Sequence, residues 1–100
     1  MTYLTLEDIK RQCRIEPEFN EDNNILEIYG DSAENFLEVH LNCALDDIVA
    51  ENGGELPKCL YQALLLLVDY SYGESGSGES RDIPNSFWIL CKPYQNYTIA

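Results

Sequence analysis

Basic residues are scarce in this sequence of 100 residues, and the middle of the chain has none. The chain contains six Lys and Arg against 18 Asp and Glu, which gives a formal net charge of −12. Residues 21–56 hold ten acids and no Lys or Arg, whereas residues 1–20 and 57–100 each hold three basic and four acidic side chains. Binding to DNA phosphates requires a basic surface. The composition therefore argues against a protein that binds nucleic acid tightly.

Histidine and metal-ligand spacings are also scarce. His40 is the one histidine, and the four cysteines lie 30, 16 and 32 residues apart, which matches no zinc-ligand pattern: Cys13, Cys43, Cys59 and Cys91. We expect His40 to be packed or partly exposed, and the cysteines to be small buried hydrophobes. Because the sequence also lacks a nucleophile motif and a paired acid and base, it predicts no cofactor, no metal and no enzyme.

The sequence has no hydrophobic run of membrane-spanning length. Residues 63–68 form an apolar run of six residues, against about 20 for a transmembrane helix. Residues 1–8 have neither the basic start nor the apolar core of a signal peptide. One hundred residues suffice for one modest core. We therefore expect a single domain over residues 1–100 that stays in the cytoplasm where it is made and binds no membrane.

An aliphatic segment predicts the helix that organises the fold. Pro57 suits a first helical turn, and the Leu- and Ala-rich residues after it are strong helix formers. We expect this central helix over residues 57–72, ending near Gly73. Its apolar side chains point in nearly every direction, so other helices should surround it. The Gly- and Ser-rich residues 73–82 predict a flexible loop.

Two helices are expected before the central one. Thr5 is a candidate N-cap for a helix over residues 5–14, which Pro17 ends. Asn20 can cap a long amphipathic helix, in which Gly30 suggests a close helix crossing. Its apolar face recurs every three or four residues: Ile25, Leu26, Tyr29, Ala33, Phe36, Leu37, His40 and Ala44. Four acids at steps of four, three and four occupy the opposite face, where like charges repel: Glu27, Asp31, Glu34 and Glu38.

The remaining elements are short. After Ala44 the helical phase slips, which predicts a break near residues 42–45 and a short peripheral helix that ends at about residue 51. Pro84 opens a last helix, which is stopped by Pro93 and packed through Phe87, Trp88, Leu90 and Cys91. The fold class predicted is therefore all-α, a small bundle of about four to five helices with a flexible loop and a C-terminal tail.

Several short motifs follow one another in a recognisable order. They are Leu4-Thr5-Leu6-Glu7, Cys13-Arg14-Ile15, Asp22-Asn23-Asn24-Ile25-Leu26, Leu56-Pro57, Tyr72-Gly73-Glu74, Ile83-Pro84 and Pro93-Tyr94. Each motif alone is weak. The ordered set, which covers most of the chain, resembles the head-tail connector (adaptor) family of tailed bacteriophages.

The resemblance implies an all-helical structural protein of the virion neck, made in the cytoplasm of the bacterial host. It implies a homo-oligomeric ring, usually of twelve copies, between the portal protein and a tail-completion or head-closure protein. DNA would pass through the ring without tight binding. Acids facing the lumen or a partner would repel phosphates, and the candidates are Glu27, Asp31, Glu34, Glu38, Asp46 and Asp47. Candidate partner contacts of the tail are Tyr94, Tyr97 and Ile99.

Two other functions fit some of these observations. An acidic DNA mimic or regulatory protein-binding module would also be small and negative, but its carboxylates should be spread over a broad face instead of one third of the chain. A small enzyme would need an acid-base pair or a nucleophile motif, which the sequence does not offer. The acids of the middle third are also compatible with a merely solvated face.

Overall fold

The computed structural model describes residues 1–77 and 83–94, with side chains described up to residue 73 and from residue 83. Within these ranges the chain forms five helices and no strand: α1 Leu6–Gln12, α2 Asn23–Leu41, α3 Leu45–Glu51, α4 Lys58–Ser77 and α5 Asn85–Cys91. The all-α prediction is confirmed. None of these helices combines the length and hydrophobicity that crossing a membrane requires.

Helix α4 is the centre of the core, as predicted. Helices α1, α2 and α5 each pack against it. Five of its residues are buried, and they form one broad face with the spacing of a helix: Leu60, Ala63, Leu64, Leu67 and Val68. Full burial of one such Leu or Val side chain stabilises a fold by roughly 1.5–3 kcal/mol. The aliphatic segment therefore supplies much of the energy that holds the bundle together.

The predicted end of α4 near Gly73 is wrong, because the helix continues to Ser77. Glycine inside a helix costs up to about 1 kcal/mol relative to alanine, and it ends a helix only where it adopts a left-handed conformation. The turn before Gly73 is anchored instead: the Tyr72 hydroxyl donates to Asp22 Oδ2 at 2.7 Å. The first five residues of the predicted loop are thus helical, and residues 78–82 lie outside the described residues.

Helix α1 is capped as predicted, whereas α2 is not. The Thr5 hydroxyl accepts the Asp8 N–H at 3.2 Å, but Asp22, not Asn20, occupies the N-cap position of α2. Lys10 is buried, and its ammonium donates to Asn20 Oδ1 at 3.0 Å and to the Pro17 carbonyl at 3.2 Å. A buried ammonium requires such acceptors, so Asn20 fixes the α1–α2 loop and does not cap a helix.

The predicted break between α2 and α3 is confirmed. Asn42 ends α2 in a left-handed conformation, with φ 52° and ψ 42°. The carboxylate of Glu38 accepts the N–H of Leu45 at 2.8 Å, which satisfies a donor at the start of α3. Helix α3 packs extensively against none of the other described helices, as expected of a peripheral element. Its Leu45 and Ile48 are nevertheless buried in the core.

Helix α5 begins after Pro84, and its Phe87 and Cys91 are buried in the core. The four cysteines are free thiols. The prediction that all four are buried is wrong for three of them, because Cys13 and Cys43 are half-buried and Cys59 is exposed. Cys59 lies in the first turn of α4. Tyr94 is half-buried against the core, while Tyr97 and Ile99 lie outside the described residues.

Candidate interaction surfaces

Glu34, predicted to face a lumen or a partner, binds the N-terminal segment of its own chain. Its side chain is buried, with the residue 8% exposed. Oε1 accepts the Thr2 N–H at 2.9 Å, and Oε2 accepts the N–H groups of Tyr3 and Leu4 at 2.8 and 2.9 Å. Three N–H groups therefore compensate the buried carboxylate.

Asp31 and Gly30 hold the first residue of the same segment. The Met1 amino group lies 2.8 Å from Asp31 Oδ1, and this hydrogen bond raises the pKa of the amino group above its ordinary value. The Met1 side chain packs over Gly30, where an added Cβ would come within 2.1 Å of Met1 Sδ. The close approach expected at Gly30 therefore exists, but the N-terminal segment makes it and not a crossing helix.

The six predicted acids do not form one solvated surface. Glu34 lies within the buried arc of α2, and Glu38 of the same helix is half-buried beside the start of α3. Four are exposed, namely Glu27, Asp31, Asp46 and Asp47, although Asp46 accepts a hydrogen bond from the Tyr3 hydroxyl. The assumption that Glu34 points away from the apolar face is wrong because the buried arc of α2 is rotated relative to the predicted one. Whether the exposed acids face a channel stays a prediction.

An exposed stripe of large apolar side chains runs along α2. At 100° per residue, Ile25, Ile28, Phe36 and Val39 fall within an arc of about 80° and span about 21 Å of helix. All four are exposed. The prediction had placed Ile25 and Phe36 on the buried face, which instead consists of Leu26, Gly30, Ala33, Leu37 and Leu41. Helix α2 thus has two apolar stripes, and the sequence signal for the second was the spacing of these four residues.

Helix α5 extends this stripe into a wider surface. Trp88 and Ile89 are exposed on α5, and the His40 ring connects the two helices, with centroids 6.4 Å from Phe36 and 5.0 Å from Trp88. His40 is therefore a packed, half-buried residue, as predicted. We call this surface the apolar patch; its members are Ile25, Ile28, Phe36, Val39, Trp88 and Ile89.

A second surface lies along α1 and the loop after it. A half-open cleft of about 480 Å³ is lined mainly by apolar atoms, and we call it the α1 cleft. Its lining residues are Leu6, Glu7, Lys10, Arg11, Ile15 and Pro17. Arg11 is exposed, and Arg14 follows it in sequence and is exposed as well. Arg11 is paired with Glu7 at 3.2 Å and with Asp8 at 3.6 Å. The cleft therefore combines an apolar lining with charges of both signs.

Two of the thiols, Cys13 and Cys91, are shielded by burial. Burial, with Asp69 beside it, raises the pKa of the Cys13 thiol to about 12, and burial raises the pKa of Cys91 to about 11. Both thiols are therefore protonated and poor nucleophiles near neutral pH. In the part of the chain that the structure describes, no group of three or more His, Cys, Asp or Glu side chains could hold a metal ion.

The comparison with protein families agrees with these observations. A family model described as phage gp6-like head-tail connector protein matches residues 3–87, which includes α1 to α4 and the first turn of α5. No curated protein and no solved structure matches the chain. Proteins of this family have a structural role and are not enzymes. Because the match extends over most of the sequence, the chain belongs to the phage gp6-like head-tail connector family.

Proposed function

We propose that this protein forms a ring below the portal of a tailed bacteriophage and joins the DNA-filled head to the tail. The family match over residues 3–87 carries this proposal. The protein acts there as a structural component without catalysis, in the virion neck. Its partners are further copies of itself, usually twelve in a ring, together with the portal protein and a tail-completion or head-closure protein. Residues Tyr94, Tyr97 and Ile99 contribute contacts to these partners.

The exposed acids of the middle third face the channel and keep DNA from binding to its wall. The candidates are Glu27 and Asp31 on α2 and Asp46 and Asp47 on α3, all exposed. Residues 21–56 contain no Lys or Arg, and within the described residues only Asp31 of the four has a cation beside it, the Met1 amino group. A negative wall repels phosphates over a Debye length of about 8 Å at physiological salt. Glu34 and Glu38 take part indirectly, because they hold the N-terminal segment and α3 in place.

The main alternative is an acidic DNA mimic or regulatory protein-binding module. A DNA mimic needs carboxylates across a broad face, whereas here four of the six candidate acids bind groups of their own chain. They are Glu34, Glu38, Asp46 and Asp31. The family match gives this alternative no support.

Charge reversal at matched positions tests the channel. Glu27→Lys with Asp47→Lys changes the charge by +4 per chain, from two changes of +2 each, at exposed sites. Glu16→Lys with Glu18→Lys makes the same change on the exposed α1–α2 loop, outside the middle third. We expect the first pair to lower the yield of infectious particles and to give the purified protein a DNA affinity that falls with salt. The second pair should do neither.

Two results would contradict the proposal at different levels. Equal phage yield from both charge-reversed pairs would exclude the acidic wall but leave the connector role intact. The connector role is tested by deleting the gene, which should give DNA-filled heads and separate tails. Purified virions that lack this protein in the neck would refute it.

A further inference from the structure

We propose that the α1 cleft binds a peptide segment of another virion protein, one that presents a single carboxylate between apolar side chains. The carboxylate pairs with the ammonium of Lys10, and the apolar side chains pack on the lining of the cleft. This inference rests on the proposed function, because it gives the chemistry of one partner that the connector contacts.

Lys10 carries this proposal, because it is a buried cation without an anion beside it. The residue is 6% exposed, and its ammonium donates to the Pro17 carbonyl at 3.2 Å and to Asn20 Oδ1 at 3.0 Å. Both acceptors are neutral, and no carboxylate of the described residues forms an ion pair with Lys10. Buried charges in proteins are normally paired. Lys10 therefore keeps a positive charge that the described part of its own fold does not neutralise.

The ammonium of Lys10 also has a donor that the described residues leave unused, at the wall of the cleft. An ammonium carries three N–H groups, and the described residues accept from two of them. Lys10 and Pro17 both line the cleft, and the hydrogen bond to the Pro17 carbonyl holds the ammonium between them. A carboxylate in the cleft can accept the third N–H and neutralise the charge. Hydrogen bonds between ionised groups are about twice as strong as those between neutral ones.

The lining of the cleft selects apolar side chains on either side of that carboxylate. Leu6, Ile15 and Pro17 supply apolar surface, and the volume of about 480 Å³ falls within the roughly 300–1,000 Å³ typical of ligand sites. Leu6 and Ile15 pack against the core, so the walls are preformed and binding costs less conformational entropy. An apolar lining with a few polar groups that fix orientation is the general pattern of a binding site. Lys10 is the orienting group in this cleft.

The charges at the rim limit the occupant to few acids. Arg11 already pairs with Glu7 and Asp8, so it offers no unpaired positive charge. The net charge of −12 repels a strongly acidic partner. The occupant therefore presents one carboxylate to Lys10 instead of an acidic run. A second copy of this chain is a less suitable occupant of the cleft, because it carries the same net charge.

The shape of the cleft favours a protein segment over a small molecule as the source of the carboxylate. Sites for small molecules bury about 70–90% of the ligand surface, whereas this cleft is half-open. An open side leaves room for the peptide chain to enter and leave on either side of the bound residues. Proteins of the head-tail connector family assemble with other head and tail proteins, which supplies such segments in the virion.

Three peptides that differ at one residue test the site. The probes are the acetylated and amidated peptide Gly-Leu-Glu-Leu-Gly and its analogues with Gln or Lys at the centre, titrated into the ¹⁵N-labelled full-length protein and followed by NMR. We expect the Glu peptide to shift the amides of Leu6, Lys10 and Ile15 with a Kd on the order of 1 mM, and the other two to bind about tenfold or more weakly. A spin label on the Glu peptide should broaden these amides and leave those of Trp88 and Ile89, in the apolar patch, unchanged.

Three variants identify the group that recognises the carboxylate. Lys10→Met removes the ammonium but keeps an unbranched apolar side chain, and it should bind the Glu and Gln peptides equally. Glu7→Gln removes an acid at the rim and should bind the Glu peptide about twofold more tightly, because repulsion falls. Glu51→Gln makes the same change of net charge at an exposed position of α3 and should bind like the wild type. Circular dichroism checks folding; if Lys10→Met does not fold, the peptide series and the other two variants decide.

Several results would overturn the proposal. Equal binding of the Glu and Gln peptides to the wild type, or a preference for Glu that survives Lys10→Met, would mean that Lys10 recognises no carboxylate. Shifts confined to the apolar patch, or no binding at about 10 mM peptide, would exclude the cleft as the site. Wild-type self-association that Lys10→Met abolishes would assign the cleft to a second copy. Each of these failures leaves the connector role intact, whereas virion necks that lack the protein would refute that role and leave the peptide site in place.

Discussion

Replacing Glu34 tests how the N-terminal segment contributes to stability. Glu34→Ala removes the acceptor for three N–H groups at 2.8–2.9 Å. Hydrogen bonds to a charged group contribute about 1.5–3 kcal/mol each, so a simple sum reaches roughly 4.5–9 kcal/mol. This sum is an upper bound, since residues 1–4 can detach from α2 and bind water instead.

The expected loss of stability is set by the detachment of residues 1–4 from α2. The segment places one side chain in the core, Leu4, which is 4% exposed, and losing its burial costs roughly 1.5–3 kcal/mol. We therefore expect Glu34→Ala to lower the free energy of unfolding by about 2–3 kcal/mol. A domain of this size loses about 4–8 °C in Tm per kcal/mol, so Tm should fall by roughly 10–20 °C. Glu34→Gln should lose less, because its amide oxygen can still accept from Tyr3 and Leu4.

Urea denaturation and amide hydrogen exchange measure these effects. Glu27→Gln is the matched control, because Glu27 lies on the same helix but is exposed, and it should change stability by less than about 0.5 kcal/mol. In Glu34→Ala the amides of Tyr3 and Leu4 should lose their protection while α4 keeps its own. If Glu34→Ala and Glu27→Gln are equally stable, the N-terminal segment does not depend on Glu34 and the reasoning is refuted.

Two further predictions concern the core and its thiols. Leu64→Asp places an unpaired carboxylate at a fully buried position of α4, and it should abolish cooperative unfolding because the free-energy cost of burying that charge rivals the roughly 5–15 kcal/mol stability of a typical domain. Gln62→Asp, at an exposed position of the same helix, is the control and should melt near the wild-type Tm. A Leu64→Asp protein that unfolds cooperatively at an unchanged Tm would contradict the central role of α4. Cys13 and Cys91 should resist iodoacetamide near pH 8 while Cys59 reacts. The raised pKa of Cys13, about 12 against an ordinary 9.0, gives stability that is complete below about pH 9 and is lost as pH rises towards 12, so the urea midpoint should fall over this range and fall less in Cys13→Ala.

The order of the helices could be predicted from local sequence signals. Thr5 marks a helix start through its capping hydroxyl, and Pro57 and Pro84 do so through their fixed backbone angle. The phase slip after Ala44 indicates a break because one straight helix cannot bury both halves. These signals act within a few residues of one another. The central position of α4 followed from its apolar composition alone, since such a helix must be covered on several sides.

The errors arose where tertiary contacts decide between local alternatives. Glu34 has the sequence context of a surface acid, and its three donors come from residues about 30 positions away. Asn20 is a good N-cap residue, but its side-chain oxygen accepts a hydrogen bond from the buried Lys10 of α1 instead. Gly73 is a common helix end, yet a hydrogen bond from Tyr72 to α2 anchors the helix there. In each case the deciding partner is distant in sequence, so local periodicity could not identify it.

The single tryptophan of the chain lies within the apolar patch. Trp88 is 37% exposed, with its ring 4.8 Å from Phe87 and 5.0 Å from His40, measured between centroids. Indole fluorescence shifts to shorter wavelength when water leaves its surroundings. Any partner that covers the patch should therefore change the emission of this one residue, so the protein carries an intrinsic optical reporter of contacts at this surface that requires no label.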